Sequence, residues 1–422
     1  MILSRKLSLL LMLFTLLLAC TPSEKEETEA PQSKTAAEIL GNPTYQAISY
    51  GGYRENNRDE QPSIAQLKED MKILSAMGIR IFRTYNTHFP HAKNVLAAIQ
   101  SLKDEDPSFE MYVMLGVWIN CKDAFQANPN HDEEDAEANA AEVQRAVDWA
   151  KKYPDIIKVI AVGNEAMVKW AASYFVQPAV ILKWVNHLQA LKQSGVLPAD
   201  LWITSSDNFA SWGGGGTEYH VEDLEKLLRA VDYVSLHTYP MHDTHYNPAF
   251  WGSPEEGTDV EKVAAAMEAA KNYAIKQYED TKAYIRNLGV EVPIHIGETG
   301  WASYSNGFYG DDGSKATDEY KEALYYHQLR EWTDAKGISC FFFEAFDENW
   351  KDAANPGGSE NHFGLFTIDG QAKYAIWDLV DQGVFEGLGR AGKPITKTYD
   401  GDQAALLQAV QVPAPIGNEQ NE

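Results

Sequence analysis

From residue 45 onward one alternation recurs: a short run rich in β-branched and aromatic residues, then a longer stretch with apolar residues at three- and four-residue spacing. Such runs suit strands and the longer spacing suits helices, so the pattern reads as successive βα units around a parallel sheet. Strands are predicted at Gln46 to Tyr50, Ile79 to Thr84, Met111 to Val117, Ile157 to Val162, Leu201 to Ser205, Tyr233 to His237, Ile294 to Gly297 and Ser339 to Phe346. Helices are predicted at Ile64 to Met77, Lys93 to Leu102, Glu134 to Lys152, Val180 to Gln193, Glu222 to Ala230, Val260 to Leu288 and Asp318 to Lys336. The sixth of these is long enough for two helices. Eight strands close a (β/α)8 TIM barrel, and that fold with insertions accounts for most of the 422 residues. The barrel is expected over residues 43–400, closed by a helix around Trp377, with residues 401–422 as a tail that is loose from Pro413.

The first residues follow another logic. Arg5 and Lys6 precede an apolar run from Leu7 to Leu18, which is too short for a comfortable membrane span and describes a signal peptide over residues 1–19. Leu17-Leu18-Ala19-Cys20 resembles a bacterial lipobox. The resemblance implies cleavage before Cys20, lipidation of that thiol, and attachment to a bacterial cell envelope membrane through the lipid alone. Residues 20–42 would then be the lipidated Cys and a disordered tether rich in Glu, Ser, Thr and Pro. Lys25-Glu26-Glu27 resembles the acidic surface-export signal of some bacterial lipoproteins, which would place the anchor on the outer membrane.

Of the three cysteines, Cys121 and Cys340 remain. One falls past a strand end and the other near a strand start, at opposite ends of a barrel, so two free thiols are expected. No Cys and His cluster has zinc spacing, and neither a metal nor a cofactor is expected. His237, His242 and His245 sit on or beside one loop, where they suit sugar contacts better than metal ligation. The formal net charge of −25 repels polyanions, which argues against nucleic acid, anionic lipid and acidic polysaccharide and favours a neutral ligand.

Chemistry concentrates at two strand ends. Glu165 closes the run Val162-Gly163-Asn164-Glu165, and Glu298 closes His295-Ile296-Gly297-Glu298. Strands four and seven would deliver both carboxylates to the face where such barrels do their chemistry. Two facing carboxyl groups about 5 to 5.5 Å apart suit glycoside hydrolysis with retention, one attacking the anomeric carbon and one protonating the leaving oxygen. The acid must keep its proton near neutrality, so Glu165 is expected to have its pKa raised by neighbouring charge, while hydrogen bonds keep Glu298 ionised, Tyr239 among the donors. Asn164 is placed to meet a sugar 2-hydroxyl. Long loops after strands three, six, seven and eight carry Trp118, Asn120, Tyr239, His242, His245, Trp251, Trp301, Tyr304, Phe308, Tyr309 and Trp350; the aromatic rings could stack on sugars or pack the loops, while Asn and His could read the hydroxyls.

Four motifs, V-G-N-E-A at 162–166, G-E-T-G-W-A-S at 297–303, F-D-E-N-W-K at 346–351 and E-N-H-F-G-L-F at 360–366, carry a family resemblance. From about Tyr45 to about Trp377 the chain resembles glycoside hydrolase family 17, a β-1,3-glucanase family of clan A. The resemblance implies Glu165 as acid/base, Glu298 as nucleophile, and Glu348, Lys351 and Glu360 as a charged shell holding them. It implies a neutral β-glucan as substrate. Ala302 stands where plant members usually have Pro, and the loop Tyr239 to Thr258 is long, which leaves internal against terminal cleavage open. The same two glutamates would serve a β-1,3-glucan transglycosylase, and an inactive surface glycan-binding lipoprotein is the reading from outside catalysis.

Overall fold

The computed structural model describes residues 33–416. Eight parallel strands close a barrel in chain order: β1 Gln46–Ser49, β2 Ile79–Arg83, β3 Tyr112–Val117, β4 Ile157–Asn164, β5 Trp202–Asn208, β6 Val234–His237, β7 Ile294–Gly300 and β8 Cys340–Phe343. Each falls on its predicted run. The fold is the (β/α)8 TIM barrel.

Two apolar layers explain why these runs are nearly unbroken rather than alternating. A barrel strand faces the lumen on one side and the helix ring on the other, so both sets of side chains leave water. Ala47, Ile81, Met114, Val159, Ala161, Tyr233 and Phe341 fill the lumen. Ile48, Phe82, Val113, Ile160, Leu236 and Phe342 pack outward against helices. The sixth predicted helix is a single one, Asp259–Asn287, started by Thr258, whose side chain accepts from the Glu261 amide while Glu261 caps the Thr258 amide in return.

The boundaries of the barrel domain differ from expectation at both ends. Residues 33–42 are not tether: Ala36–Ile39 form a helical turn, Ile39 is fully buried, and Ile39 and Leu40 join the lumen cluster. Four residues give too short a period to register as an element, yet two large apolar side chains suffice to plug the barrel floor. Gly41, at φ +78°, passes so close to the Gly337 carbonyl that a Cβ there would sit 2.2 Å from its oxygen. At the other end Gln403–Gln408 form a helix, and the Ser253 amide donates to the Ala414 carbonyl at 2.9 Å while the Ile416 amide donates to Ser253 at 3.0 Å. A loop far away in sequence supplies the partner, so local composition could not reveal this pairing. Cys20 lies outside the described residues. Cys121 and Cys340 are free and buried.

Candidate active site

Glu165 and Glu298 lie at the C-terminal ends of β4 and β7 and line one cleft of about 870 Å³, together with Trp170, Tyr239, His242, Tyr309, Phe343, Glu360 and Phe363. The backbone is specialised on both sides. Gly163 adopts φ +84° and Glu165 itself φ +47°, a conformation that β-strand residues avoid, so the chain turns sharply where it presents the carboxyl group. Gly297 precedes Glu298 because a Cβ there would lie 1.9 Å from Ser235 Oγ.

The two carboxyl groups have opposite surroundings. Arg83 Nη1 pairs with Glu298 Oε2, which also accepts from Tyr85 Oη at 2.8 Å, and Tyr239 Oη donates to Glu298 Oε1 at 2.7 Å. Burial opposes ionisation of Glu298, but Arg83 and these donors outweigh it and hold the pKa at about 2. Among the described residues no Lys or Arg pairs with Glu165. Burial, then the charges of Glu298 and Asp207, raise its pKa well above the ordinary carboxylate value. His237 Nδ1 lies 3.1 Å from Glu165 Oε1 and its Nε2 2.7 Å from Ser206 Oγ. Burial depresses that imidazole to about 3, so it meets Glu165 as a neutral ring. One buried carboxyl group is thus kept protonated and the other ionised.

Arg83 also donates from Nη2 to Asn164 Oδ1 at 2.6 Å and from Nη1 to the Gly297 carbonyl at 2.9 Å. The guanidinium therefore fixes residues from β4 and β7 at once, which suits its planar fork of donors. With its oxygen engaged, Asn164 has its amide NH2 left to donate. Behind Glu165, Asp207 at the end of β5 accepts from Met167 N at 2.7 Å and Ser211 Oγ at 2.6 Å, which anchors the loop leaving β4. Burial lifts Asp207 to about 6 despite these bonds.

Sequence reasoning missed Arg83, Tyr85 and Asp207. Arg83 carried the signal that exposed the glutamates, a charge at the end of an apolar strand run, whereas Asp207 follows the polar Thr204-Ser205-Ser206. Tyr85, two residues past Arg83, had no signal of its own.

Other predicted site residues lie elsewhere. Trp301 does not reach the cleft: it is fully buried, its Nε1 donates to the Ala316 carbonyl at 2.8 Å, and it packs against Trp251 and Tyr325. The Gly-Trp turn sends the indole beneath the loops because only there does its N–H find a partner away from water. Trp301→Ala is therefore expected to cost stability, about 3–5 kcal/mol in denaturant titration. A loss of affinity for glycan with stability intact would contradict this placement.

Glu348 and Lys351 do not hydrogen-bond either cleft glutamate. Lys351 Nζ pairs with Glu344 Oε1 at 3.1 Å, lies 3.9 Å from Glu348 Oε2, and sits 3.6 Å from the centre of the Phe343 ring. Trp350 Nε1 donates to Glu348 at 2.9 Å. This buried group supports Phe343 in the cleft wall, whereas Arg83, Tyr85 and Tyr239 hold Glu298. Glu360 lines the cleft, and its charge adds to those raising Glu165. The three loop histidines are dispersed: His237 meets Glu165, His242 Nδ1 lies 3.0 Å from Tyr309 Oη, and His245 stacks on Phe308.

Comparison with known proteins agrees with this fold. Residues 47–364 match the model of the BtgE/BtgC glycoside hydrolase domain. An endo-laminarinase from Formosa Hel1_33_131, known from its crystal structure, is 66% identical with a TM-score of 0.90, over 90% of this chain and 98% of that one. A glucan 1,3-beta-glucosidase from Arthroderma benhamiae is 26% identical over 275 residues, 62% of this chain and 70% of the relative. A family 17 β-1,3-glucanosyltransferase from Rhizomucor miehei shares the fold at 18% identity, with a TM-score of 0.54 over 79% of this chain and 96% of that one. A (β/α)8 barrel with the family's domain over three quarters of its length belongs to the BtgE/BtgC glycoside hydrolases, within glycoside hydrolase family 17.

Proposed function

We propose that this glycosidase hydrolyses β-1,3-glucosidic bonds within laminarin-type β-1,3-glucan, with retention of configuration and by double displacement. The carrying observation is a pair of buried glutamates in one cleft with opposite surroundings, Glu298 held by Arg83, Tyr85 and Tyr239 and Glu165 by the His237 imidazole. Glu298, ionised by Arg83 and two tyrosines, attacks the anomeric carbon, and the glycosidic C–O bond breaks as Glu165 gives its proton to the leaving oxygen. Glu165, now a carboxylate, takes a proton from water, whose oxygen attacks the anomeric carbon and expels Glu298. The neutral His237 beside Glu165 accommodates either state of that carboxyl group. The names of the relatives support the β-1,3 linkage, and the 66% identical endo-laminarinase supports internal cleavage.

A time course on linear β-1,3-glucan, with β-1,4- and mixed-linkage glucans in parallel, tests the reading. A ladder of β-1,3-oligosaccharides from the outset is expected. Products longer than an oligosaccharide donor would indicate transfer, and binding without release would indicate an inactive glycan receptor. Because Glu165 also serves as the base, Glu165→Gln is expected to lower kcat on every substrate, but in kcat/KM, which reports the first step, it should cost about 100-fold or more with poor leaving groups and little where the leaving group needs no proton. Equal losses in kcat/KM for both classes would remove Glu165 from the acid role.

We also infer that Cys20 is lipidated and tethers the enzyme to the cell envelope, on the strength of the basic, apolar and Leu-Leu-Ala-Cys segments at residues 5–20. Radiolabelled palmitate should be incorporated into the full chain and not into Cys20→Ser.

A further inference from the structure

One buried carboxyl group beside the cleft takes no part in attack or proton transfer. Asp207 is fully buried near the end of β5, and its donors are neutral: the Met167 amide at 2.7 Å, the Asn208 amide at 2.8 Å and Ser211 Oγ at 2.6 Å. Among the described residues no Lys or Arg pairs with it. Burial holds its pKa at about 6, so above that pH it is a charge without a counterion. Such a group costs stability, and packing alone gives no reason to keep it.

The backbone around Glu165 is shaped to hold that charge. The Glu165 amide donates to the Ser206 carbonyl at 3.0 Å, which sets the acid beside β5. Glu165 then turns left-handed, at φ +47°, and the next two amides, of Ala166 and Met167, turn to Asp207. Successive amides in such a turn make a concavity that favours an anion. The turn that presents Glu165 is thus closed on the Asp207 carboxylate.

Charge near Glu165 changes during the reaction, and Asp207 is the part that does not. Facing Glu165 are Glu298 on β7, Arg83 on β2 and Glu360 after β8, with the neutral His237 on β6 and Tyr174 after β4. After burial, Glu298 does most to keep Glu165 protonated and Asp207 comes next, while Arg83 acts the other way. Once Glu298 has attacked it is an ester, and its charge is gone. Arg83 then acts on Glu165 unopposed by its partner, which weakens Glu165 as a base when water must be activated. Asp207 is not among the residues lining the cleft and forms no bond to substrate, so its charge persists through both steps.

We propose that Asp207 is a positioning residue for Glu165: it fixes the turn that presents the carboxyl group, and its lasting negative charge holds the proton for the leaving oxygen and then sustains the base that activates water. The inference rests on the two-glutamate reading above.

The test compares wild type, Asp207→Asn and Ser211→Ala by the pH profile of kcat/KM on linear β-1,3-glucan. It adds kcat on a β-1,3-gluco-oligosaccharide with a good aryl leaving group, where hydrolysis of the glycosyl-enzyme limits the rate. Asp207→Asn should move the alkaline limb of kcat/KM down by about one pH unit and lower kcat on the activated substrate about three- to tenfold. Ser211→Ala removes a donor and leaves the charge, so its limb should stay in place. Should Asp207→Asn fail to fold, Asp207→Ser carries the same expectations, with room for a water to accept from the Met167 amide. A limb left in place by the neutral variant, a kcat on the activated substrate equal to wild type, or an equal downward shift in Ser211→Ala overturns the inference and leaves the two-glutamate reading intact. An alkaline limb that persists in Glu165→Gln removes Glu165 from the acid role, and this inference with it.

Discussion

Glu298→Gln is expected to reduce kcat on linear β-1,3-glucan by about four orders of magnitude or more, as losses of a covalent nucleophile do. The variant keeps the shape of the side chain and an oxygen that can accept from Tyr239 or Tyr85, so substrate binding should survive. It loses the negative charge that Arg83 is arranged to stabilise, and an amide cannot form the glycosyl-enzyme ester. Glu298→Gly separates nucleophile from scaffold. It opens space beside the anomeric carbon where added azide can attack from the face Glu298 occupied, displacing a good leaving group and giving a glycosyl azide of inverted configuration. Recovery of turnover with that stereochemistry would identify Glu298 as the attacking group. An azide product of retained configuration, or substantial activity in Glu298→Gln, would sink the assignment.

The barrel was legible because its signal is local. Most strands are short apolar runs buried on both faces, and each overlaps its predicted residues. Glu165 and Glu298 were legible for the same reason, as charges ending apolar runs. The signal fails where a residue's partner comes from a distant segment. Nothing near Arg83 shows that a β2 guanidinium reaches Asn164 on β4 and Glu298 on β7. Trp301 read as a sugar platform because ring composition cannot tell an indole facing the cleft from one buried beneath it. Ile39 and Leu40 plug the floor from a segment whose composition otherwise reads as linker. His237 was considered for metal ligation and set aside, yet the neutral contact with Glu165 needs the barrel closed to exist.

Arg83→Gln tests the electrostatic account at its source. Burial alone would raise the pKa of Glu298, and Arg83 is the largest influence pulling it down to about 2, against an ordinary value of 4.5. The sign follows directly. A carboxylate depressed in the folded state contributes stability that is fully present above pH 4.5 and is lost as pH falls through 4.5 toward 2. Without the guanidinium, burial acts against a carboxylate left with two tyrosine donors, and its pKa should rise above 4.5. The acid limb of kcat/KM should therefore move upward by two pH units or more. At pH 6 the rate should fall by about 100- to 1000-fold, because Glu298 is partly protonated and Asn164 loses the donor that orients it. Breaking a buried pair should also cost about 3–5 kcal/mol of stability, less whatever is recovered when Glu298 takes a proton. That recovery predicts a further signature: the stability difference between wild type and variant should shrink as the pH is lowered through the titration of Glu298. A profile merely scaled down, with its acid limb in place, would mean that Arg83 orients the site without setting the charge of the nucleophile. Arg83→Lys separates the two roles. It keeps the charge and so should hold the acid limb low, but a point charge cannot bridge Glu298, Gly297 and Asn164 together, and the rate should remain depressed.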